Sequence, residues 1–386
     1  MKRRAGLACL LLGVALAGGA LPGARLATAA PVMSQAAEGG KGAQAAPEDA
    51  KSFDIAIIGH AFPGDSGDDD LQRTLARADR EKPAFVIATG IKSAAEPCTD
   101  KLYLQRKALL NRSDRPLILV LSGDDWTACR NSAGRSNAIE RLNRIREIFY
   151  DGQEALGRRV LDLNRQSTIT KFRSYSENAY WERGGVLFAT INLPSPNNHF
   201  LPEAGRNSEY EDRLVANRAW LQRLFGMAKR RKLEGLVLFS NGAVRIHAEP
   251  GFSLLAGFSS KQDGFAETRR LARTLAGKYA GKVLLVDTSR EPPVKGDPIP
   301  GTVTWQGNLG HVTLGGEWHV LRVAPGSEQL FTLHPDEAKQ RVQGKPPRND
   351  NEQRKLPRNE SGQPKLPDGG KPKPAAESEP PKPSAK

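Results

Sequence analysis

The chain holds only three cysteines, and one of them, Cys9, lies inside the apolar N-terminal stretch. Two remain beyond it, Cys98 and Cys129. They are too few to furnish a zinc site in that segment and too few for a disulfide-stapled miniature scaffold. Aromatic residues make up 6% of the sequence. No basic stripe interleaved with aromatics occurs, so the footprint of a nucleic-acid module is missing and no nucleic-acid partner is expected. Neither a Gly-x-Gly-x-x-Gly turn nor a P-loop is present, which disfavours nucleotide-driven chemistry. There is no Gly-x-Ser-x-Gly elbow, and Ser195 and Ser289 have no adjacent His and Asp pattern, which leaves serine hydrolysis unsupported. After the N-terminal stretch no long apolar run appears, so no transmembrane segment is expected once that stretch is removed.

The first 29 residues read as a signal peptide. Lys2, Arg3 and Arg4 form the basic start, Leu7 to Leu21 the short apolar stretch, and Ala27-Thr28-Ala29 the small residues before cleavage. The expected location is therefore periplasmic or secreted. In such an oxidising compartment, an even pair of cysteines reads first as a disulfide, here Cys98 with Cys129. The formal net charge is +14, of which Lys2, Arg3, Arg4 and Arg25 belong to the signal. A diffuse positive field favours anionic surfaces without naming one.

Residues 30–52 are polar and rich in Ala, Gly and Gln, a flexible spacer. Six apolar runs then follow as strand candidates: Asp54–Gly59, Ala84–Thr89, Pro116–Leu121, Gly185–Ile191, Gly235–Ser240 and Lys282–Asp287. They show little alternation, which suits strands buried on both faces. Helical patterns lie between them. Leu71, Leu75 and Ala78 share one face. Ile139, Leu142, Ile145 and Phe149 share another, with Ser136 or Asn137 as cap. Leu214, Leu221, Leu224, Phe225 and Ala228 form a third. Alternating strands and helices predict an α/β domain over residues 53–335. Four short strands between Thr302 and Leu333 predict an antiparallel finish. His311 and His319 in them read as sheet-surface residues, and Trp126 and Trp220 as core or loop anchors.

Beyond His334 the hydrophobic content collapses. Residues 348–357 and 358–367 form an imperfect ten-residue repeat, and residues 343–386 carry ten Lys/Arg against six Asp/Glu. Residues 336–386 therefore read as a disordered Pro/Lys-rich tail. Its expected partner is an anionic envelope polymer or a phospholipid surface.

In a layered α/β domain, functional groups gather in the loops after the strands. Those loops carry Ile91-Lys92-Ser93 followed by Glu96-Pro97-Cys98-Thr99-Asp100, then Gly123-Asp124-Asp125-Trp126-Thr127-Ala128-Cys129. Further along come Gly184-Gly185-Val186, Asn197-Asn198 and Asn217-Arg218-Ala219-Trp220-Leu221. In order and spacing this set resembles an exported bacterial group of the calcineurin-like metallophosphoesterases, over Phe53 to Leu333. The resemblance implies a layered α/β/β/α sandwich, and two adjacent metal ions that activate a hydroxide for in-line attack on phosphorus.

Carried over residue by residue, the ligand set is incomplete. His60 stands where the first aspartate belongs, and Gly90 where the bridging carboxylate belongs. Asp124 matches, but the asparagine that should follow it is deleted before Asp125. Asn241 replaces the polar ligand after the fifth strand. Val286-Asp287-Thr288-Ser289 lacks the glycine and histidine of the last motif. Two divalent ions about 3.5–4 Å apart need an anion between them, and Gly90 has no side chain to supply one. The expectation is a pseudoenzyme with a decayed metal site and no cofactor, acting as a binding or envelope-associated module, with no catalytic residue assigned. The alternative is a working phosphoesterase holding Mn, Fe or Zn through His60, Asp65, Asp124, Asp125 and Asp287, with Asp65 reaching across from its loop.

Overall fold

The computed structural model describes residues 51–64, 67–201, 207–248, 263–294, 297–315 and 318–334, and every structural statement below concerns these. The expected signal peptide, the spacer up to residue 50 and the tail from residue 336 lie outside the described residues.

In chain order the elements are β1 (Phe53–Ile58), α1 (Gly67–Glu81), β2 (Val86–Thr89), α2 (Asp100–Leu110), β3 (Leu117–Val120) and α3 (Ala138–Phe149). There follow β4 (Asn164–Arg165), β5 (Ala179–Arg183), β6 (Val186–Thr190), α4 (Ser208–Arg230), β7 (Gly235–Ser240), α5 (Ala266–Ala276) and β8 (Lys282–Asp287). The last four are β9 (Thr304–Gln306), β10 (Leu309–Thr313), β11 (His319–Val323) and β12 (Phe331–His334). They build two sheets, one ordered β12-β11-β1-β2-β3 and the other β4-β5-β6-β7-β8-β10-β9. All six strands expected from apolar runs are present within a residue or two.

The lack of alternation in those runs has a direct cause. Successive side chains point to opposite faces of a strand, and here both faces are covered. Ile55 and Ile57 of β1 join Ile87, Ile118 and Val120 in a core that also holds Phe188, Val237, Phe239, Leu284 and Val286 of the other sheet. Ala56 and Ile58 point the opposite way, into a core with Leu71 and Leu75 of α1 and Leu142 and Ile145 of α3. Leu187, Leu236, Leu238 and Leu285 face Leu221, Leu224 and Phe225 of α4 and Ala272 and Ala276 of α5. Three cores between four layers make the expected α/β/β/α sandwich. In the middle core Phe188 meets Phe85 and Trp181 at ring separations of 5.2 and 5.9 Å, and Phe188→Ala there costs about 3–5 kcal/mol.

Several expectations need correction. The C-terminal strands are not a uniform antiparallel finish. β11 adds antiparallel to β1 and β12 antiparallel to β11, but β10 runs parallel to β8, and β9 pairs antiparallel to β10. The segment after β8 therefore crosses back before pairing, a connection that strand propensity does not reveal. Ile139 is 46% exposed and lies off the buried face of α3. Asn137 makes no side-chain cap to that helix, and Ser136 Oγ instead accepts from Ala138 N at 3.4 Å. Trp126 and Trp220 are buried anchors, as expected.

Candidate active site

The parallel strands β1, β2 and β3 of one sheet and β6, β7 and β8 of the other deliver their following loops to one rim. A cavity of about 180 Å³ opens there. It is lined by His60 after β1, Ser122 and Asp124 after β3, Ser195 and Pro196 after β6, Asn241 after β7, and Arg290 and Glu291 after β8.

Asn241 ties the rim together. Its buried Oδ1 accepts from the backbone N–H of Gly123 and of Ser195, both at 2.9 Å. This brings the β6 loop so close to Gly123 that a Cβ on that residue would fall 1.6 Å from the Ser195 carbonyl oxygen; only glycine fits. Ser195 Oγ donates to Glu291 Oε1 at 2.7 Å, and Glu291 Oε2 lies 3.6 Å from Arg245. The Ser195–Pro196 peptide is cis, and Asn197, Asn198 and His199 then take three consecutive positive φ values of 46°, 54° and 50°. Side chains hold that left-handed turn. Buried Arg213 donates to Asn198 O at 2.9 Å and also to Asn198 Oδ1, while Asn198 Nδ2 donates to Gly264 O at 2.9 Å. Such strain costs of order 1–3 kcal/mol per residue and persists only where the surroundings over-determine it.

Of the five residues expected as metal ligands, two reach the cavity. Burial, reinforced by Arg290, pushes the His60 pKa down to about 4 against the pull of the Thr288 backbone and Asp124. The ring is therefore neutral at pH 7, and its Nε2 is shielded from solvent with no hydrogen-bond partner. Asp124 is bonded among the described residues only through its backbone N–H, to Ser122 Oγ at 3.2 Å. Asp65 lies outside the described residues.

Asp125 and Asp287, also expected as ligands, are not among the residues that line the cavity. Asp125 is fully buried and serves the backbone. Its Oδ1 accepts from Ile91 N at 2.7 Å and Lys92 N at 3.3 Å, and its Oδ2 from Ser122 N at 2.8 Å. It caps the short 3₁₀ turn Gly123–Asp125 and fastens the β2 loop to the β3 loop. Burial outweighs those bonds and pushes its pKa up to about 7. Lys92, also buried, has its pKa lowered by burial against the pull of Asp125, Asp124 and Glu96.

Asp287 is equally committed. Its Oδ2 meets His311 Nε2 at 2.6 Å and Thr313 Oγ1 at 3.3 Å, and its Oδ1 accepts from Ser289 N at 3.2 Å. His311 is thus a buried partner of Asp287, not a sheet-surface residue. The parallel pairing of β10 with β8 sets Thr313 opposite Asp287, a register the sequence does not announce. Glu291 was not read as a site residue either. It stands four residues beyond β8, and only the bond to Ser195 brings it to the rim.

Cys98 and Cys129 form the expected disulfide. It sits behind the Asp124 turn, where Tyr103 Oη donates to the Asp125 carbonyl at 2.9 Å and Cys129 Sγ lies 3.7 Å from the same oxygen.

This donor set does not fit a dinuclear metal centre. Gly90, where the resemblance would place the bridging carboxylate, has φ +84°, and a Cβ there would start 3.5 Å from Ser122 Cβ and 3.8 Å from Asp125 Oδ1. The two carboxylates beside it in sequence logic, Asp125 and Asp287, are spent on internal partners. Among the described residues no group of three His, Cys, Asp or Glu side chains converges to hold an ion.

No family model matches the chain, and no curated protein matches it. Seven chains of solved structures do match. One is described as a crystal structure of a novel phosphatase from Mycoplasma pneumoniae; it is 10% identical, with a TM-score of 0.39 over 74% of this chain and 92% of that one.

Proposed function

We propose that this is an exported protein built on a metallophosphoesterase-type sandwich whose dinuclear metal site has been lost, and that it works as a binding module of the cell envelope. The commitment of Asp125 to three backbone N–H groups beside a glycine at position 90 carries this reading. A carboxylate that neutralises main-chain donors inside the protein is not free to ligate. The motif order along the chain and the four-layer architecture support the phosphoesterase ancestry. The Cys98–Cys129 bridge supports export, since such bonds persist in oxidising compartments. Among the described residues no helix is long and apolar enough to cross a membrane. The basic segment 336–386 supplies contact with an anionic polymer or phospholipid surface.

Among the described residues, His60 and Asp124 are the expected ligands that line the cavity, and an altered phosphoesterase would use them. Assays of a generic phosphomonoester and phosphodiester with added Mn²⁺, Fe²⁺ or Zn²⁺ test the point. The expected result is no turnover that responds to Asp124→Ala or His60→Ala. Metal-dependent turnover abolished by either substitution would establish the working enzyme instead.

A further inference from the structure

The end of the domain opposite the cavity rim, where the parallel strands β6, β7 and β8 begin, is lined by exposed cations. Helix α4 closes on Lys229 and Arg230, followed by Arg231 and Lys232, all four exposed. Arg183 at the end of β5, Lys278 after α5 and Lys282 at the head of β8 are exposed as well. Hydrogen bonds to the backbone join these segments. Glu234 N donates to Gly185 O and Lys282 N to Glu234 O, both at 2.9 Å, and Tyr279 Oη donates to Leu233 O at 2.5 Å. The carboxylates within the segments are Glu182, which is paired with Arg231, and Glu234, which accepts from Gly326 N at 2.7 Å. Lys229, Lys232 and Lys278 have no carboxylate partner among the described residues.

Cations at a helix C-terminus favour its macrodipole, but that effect fades within the last turn and does not account for Arg183 and Lys282 on strands. Lys232 also stands against its backbone preference. It follows the C-cap Arg231 with φ +53°, the left-handed position that glycine ordinarily fills with less strain. Beside the cations stands Trp305 on the edge strand β9. It pairs with Gly310, which pairs with Leu284 near the head of β8, and Lys282 Nζ lies 5.5 Å from its ring centroid. This indole is 39% exposed, whereas Trp126, Trp181, Trp220 and Trp318 are buried. An amphipathic ring among cations suits the headgroup layer of an anionic bilayer: the cations meet phosphate and the ring meets the acyl boundary. A water-soluble polyanion would engage the cations and leave the indole in water.

We infer that the end of the domain formed by the C-termini of α4 and α5, the head of β8 and Trp305 is a docking face for an anionic phospholipid bilayer, with the cavity rim turned away from the lipid. This rests on the reading of an envelope protein, assigns contact to the folded domain as well as to the segment 336–386, and does not depend on the fate of the metal centre.

The test mixes the purified protein with vesicles of equal parts phosphatidylglycerol and phosphatidylcholine. Binding is read by cosedimentation, and Trp305 by quenching of tryptophan fluorescence with lipids brominated along their acyl chains. Each cation near such a surface contributes about fivefold in affinity, so Lys229→Ala with Lys278→Ala should weaken binding about 25-fold. Lys101→Ala with Arg135→Ala removes the same charge from exposed positions at the rim end and should weaken it far less. Lys232→Gly should weaken binding about fivefold with the melting temperature unchanged or raised, a combination that lost folding does not produce. Brominated lipid should quench the wild type and should no longer quench Trp305→Phe. Equal weakening by the two charge pairs, absence of quenching in vesicle-bound wild type, or binding to soluble dextran sulfate without binding to vesicles overturns the inference. Vesicle binding that ignores these substitutions and is lost with segment 336–386 also overturns it, while leaving the envelope reading standing. Binding to neither probe removes both.

Discussion

Replacing Asp125 with asparagine removes a charge from a fully buried position while keeping the shape of the side chain. The folded-state pKa of Asp125 is pushed up to about 7 from an ordinary 3.8. Between those values the folded protein binds the proton more tightly than the unfolded chain. Stability from this group is therefore greatest below pH 4 and is lost as pH rises through about 7. A rise of about three units corresponds to about 4 kcal/mol at alkaline pH. Asparagine escapes that loss but places an N–H₂ opposite the Ser122 N–H, forfeiting one acceptor at about 1–3 kcal/mol. It also deprives buried Lys92 of a nearby anion, which reduces the gain above neutrality. The variant should thus be less stable than the wild type below roughly pH 5 and should recover by up to about 3 kcal/mol relative to it between roughly pH 5 and pH 8. His60, with its pKa lowered to about 4, contributes the opposite slope, since its stabilisation is full above 6.5 and lost as pH falls. That contribution is common to both proteins and cancels in the difference. Urea unfolding of both proteins across this range measures the effect. A stability difference that stays flat, or turns against the variant as pH rises, would refute the claim that burial outweighs the three backbone bonds.

Asn241→Ala should cost about 2–6 kcal/mol, because the Gly123 and Ser195 N–H groups are left without their acceptor; chemical denaturation reads it. Cys98→Ala should cost about 3–4 kcal/mol on loop-entropy grounds for a separation of 31 residues, and peptide mapping without reduction should show the two cysteines linked in the wild type. Gly90→Asp should lower stability by about 1–2 kcal/mol for its left-handed backbone, while titration calorimetry shows a measurable rise in Mn²⁺ affinity from the returned charge. Truncation after Gln343 should leave the melting temperature nearly unchanged, and any binding to anionic vesicles lost with that segment should have weakened steeply with salt.

Strands β1, β2, β3, β6, β7 and β8 were legible because burial on two faces writes itself as runs of Val, Ile and Leu. The cysteine pair was legible from compartment and parity. Helices α2 and α5 were not. Tyr103 and Arg106 of α2 and Thr268 of α5 are buried without being aliphatic, so a search for Leu and Ile spacing passes them by. The short edge strand β4 was missed for a related reason, since Asn164 and Arg165 carry no apolar signal, and β5 because its buried residues, Ala179, Tyr180 and Trp181, form no Val, Ile or Leu run. At the site, sequence order flagged Gly90 and His60 as departures from the pattern that the resemblance implies. It did not distinguish carboxylates that face a cavity from those that face backbone. Asp124 and Asp125 are adjacent, yet one lines the rim and the other caps a turn. The roles of Glu291 and His311 depend on contacts across 96 and 24 residues, beyond any local pattern.

Metal content of the purified protein, measured by elemental analysis after loading with Mn²⁺ and removal of excess, bears most directly on the proposed loss of a dinuclear centre. With Asp125 and Asp287 tied to internal partners and Gly90 where the resemblance would place the bridging carboxylate, well under one ion per chain is expected, and Asp124→Ala should leave that value unchanged. Two tightly held ions per chain, lost on Asp124→Ala, would contradict it.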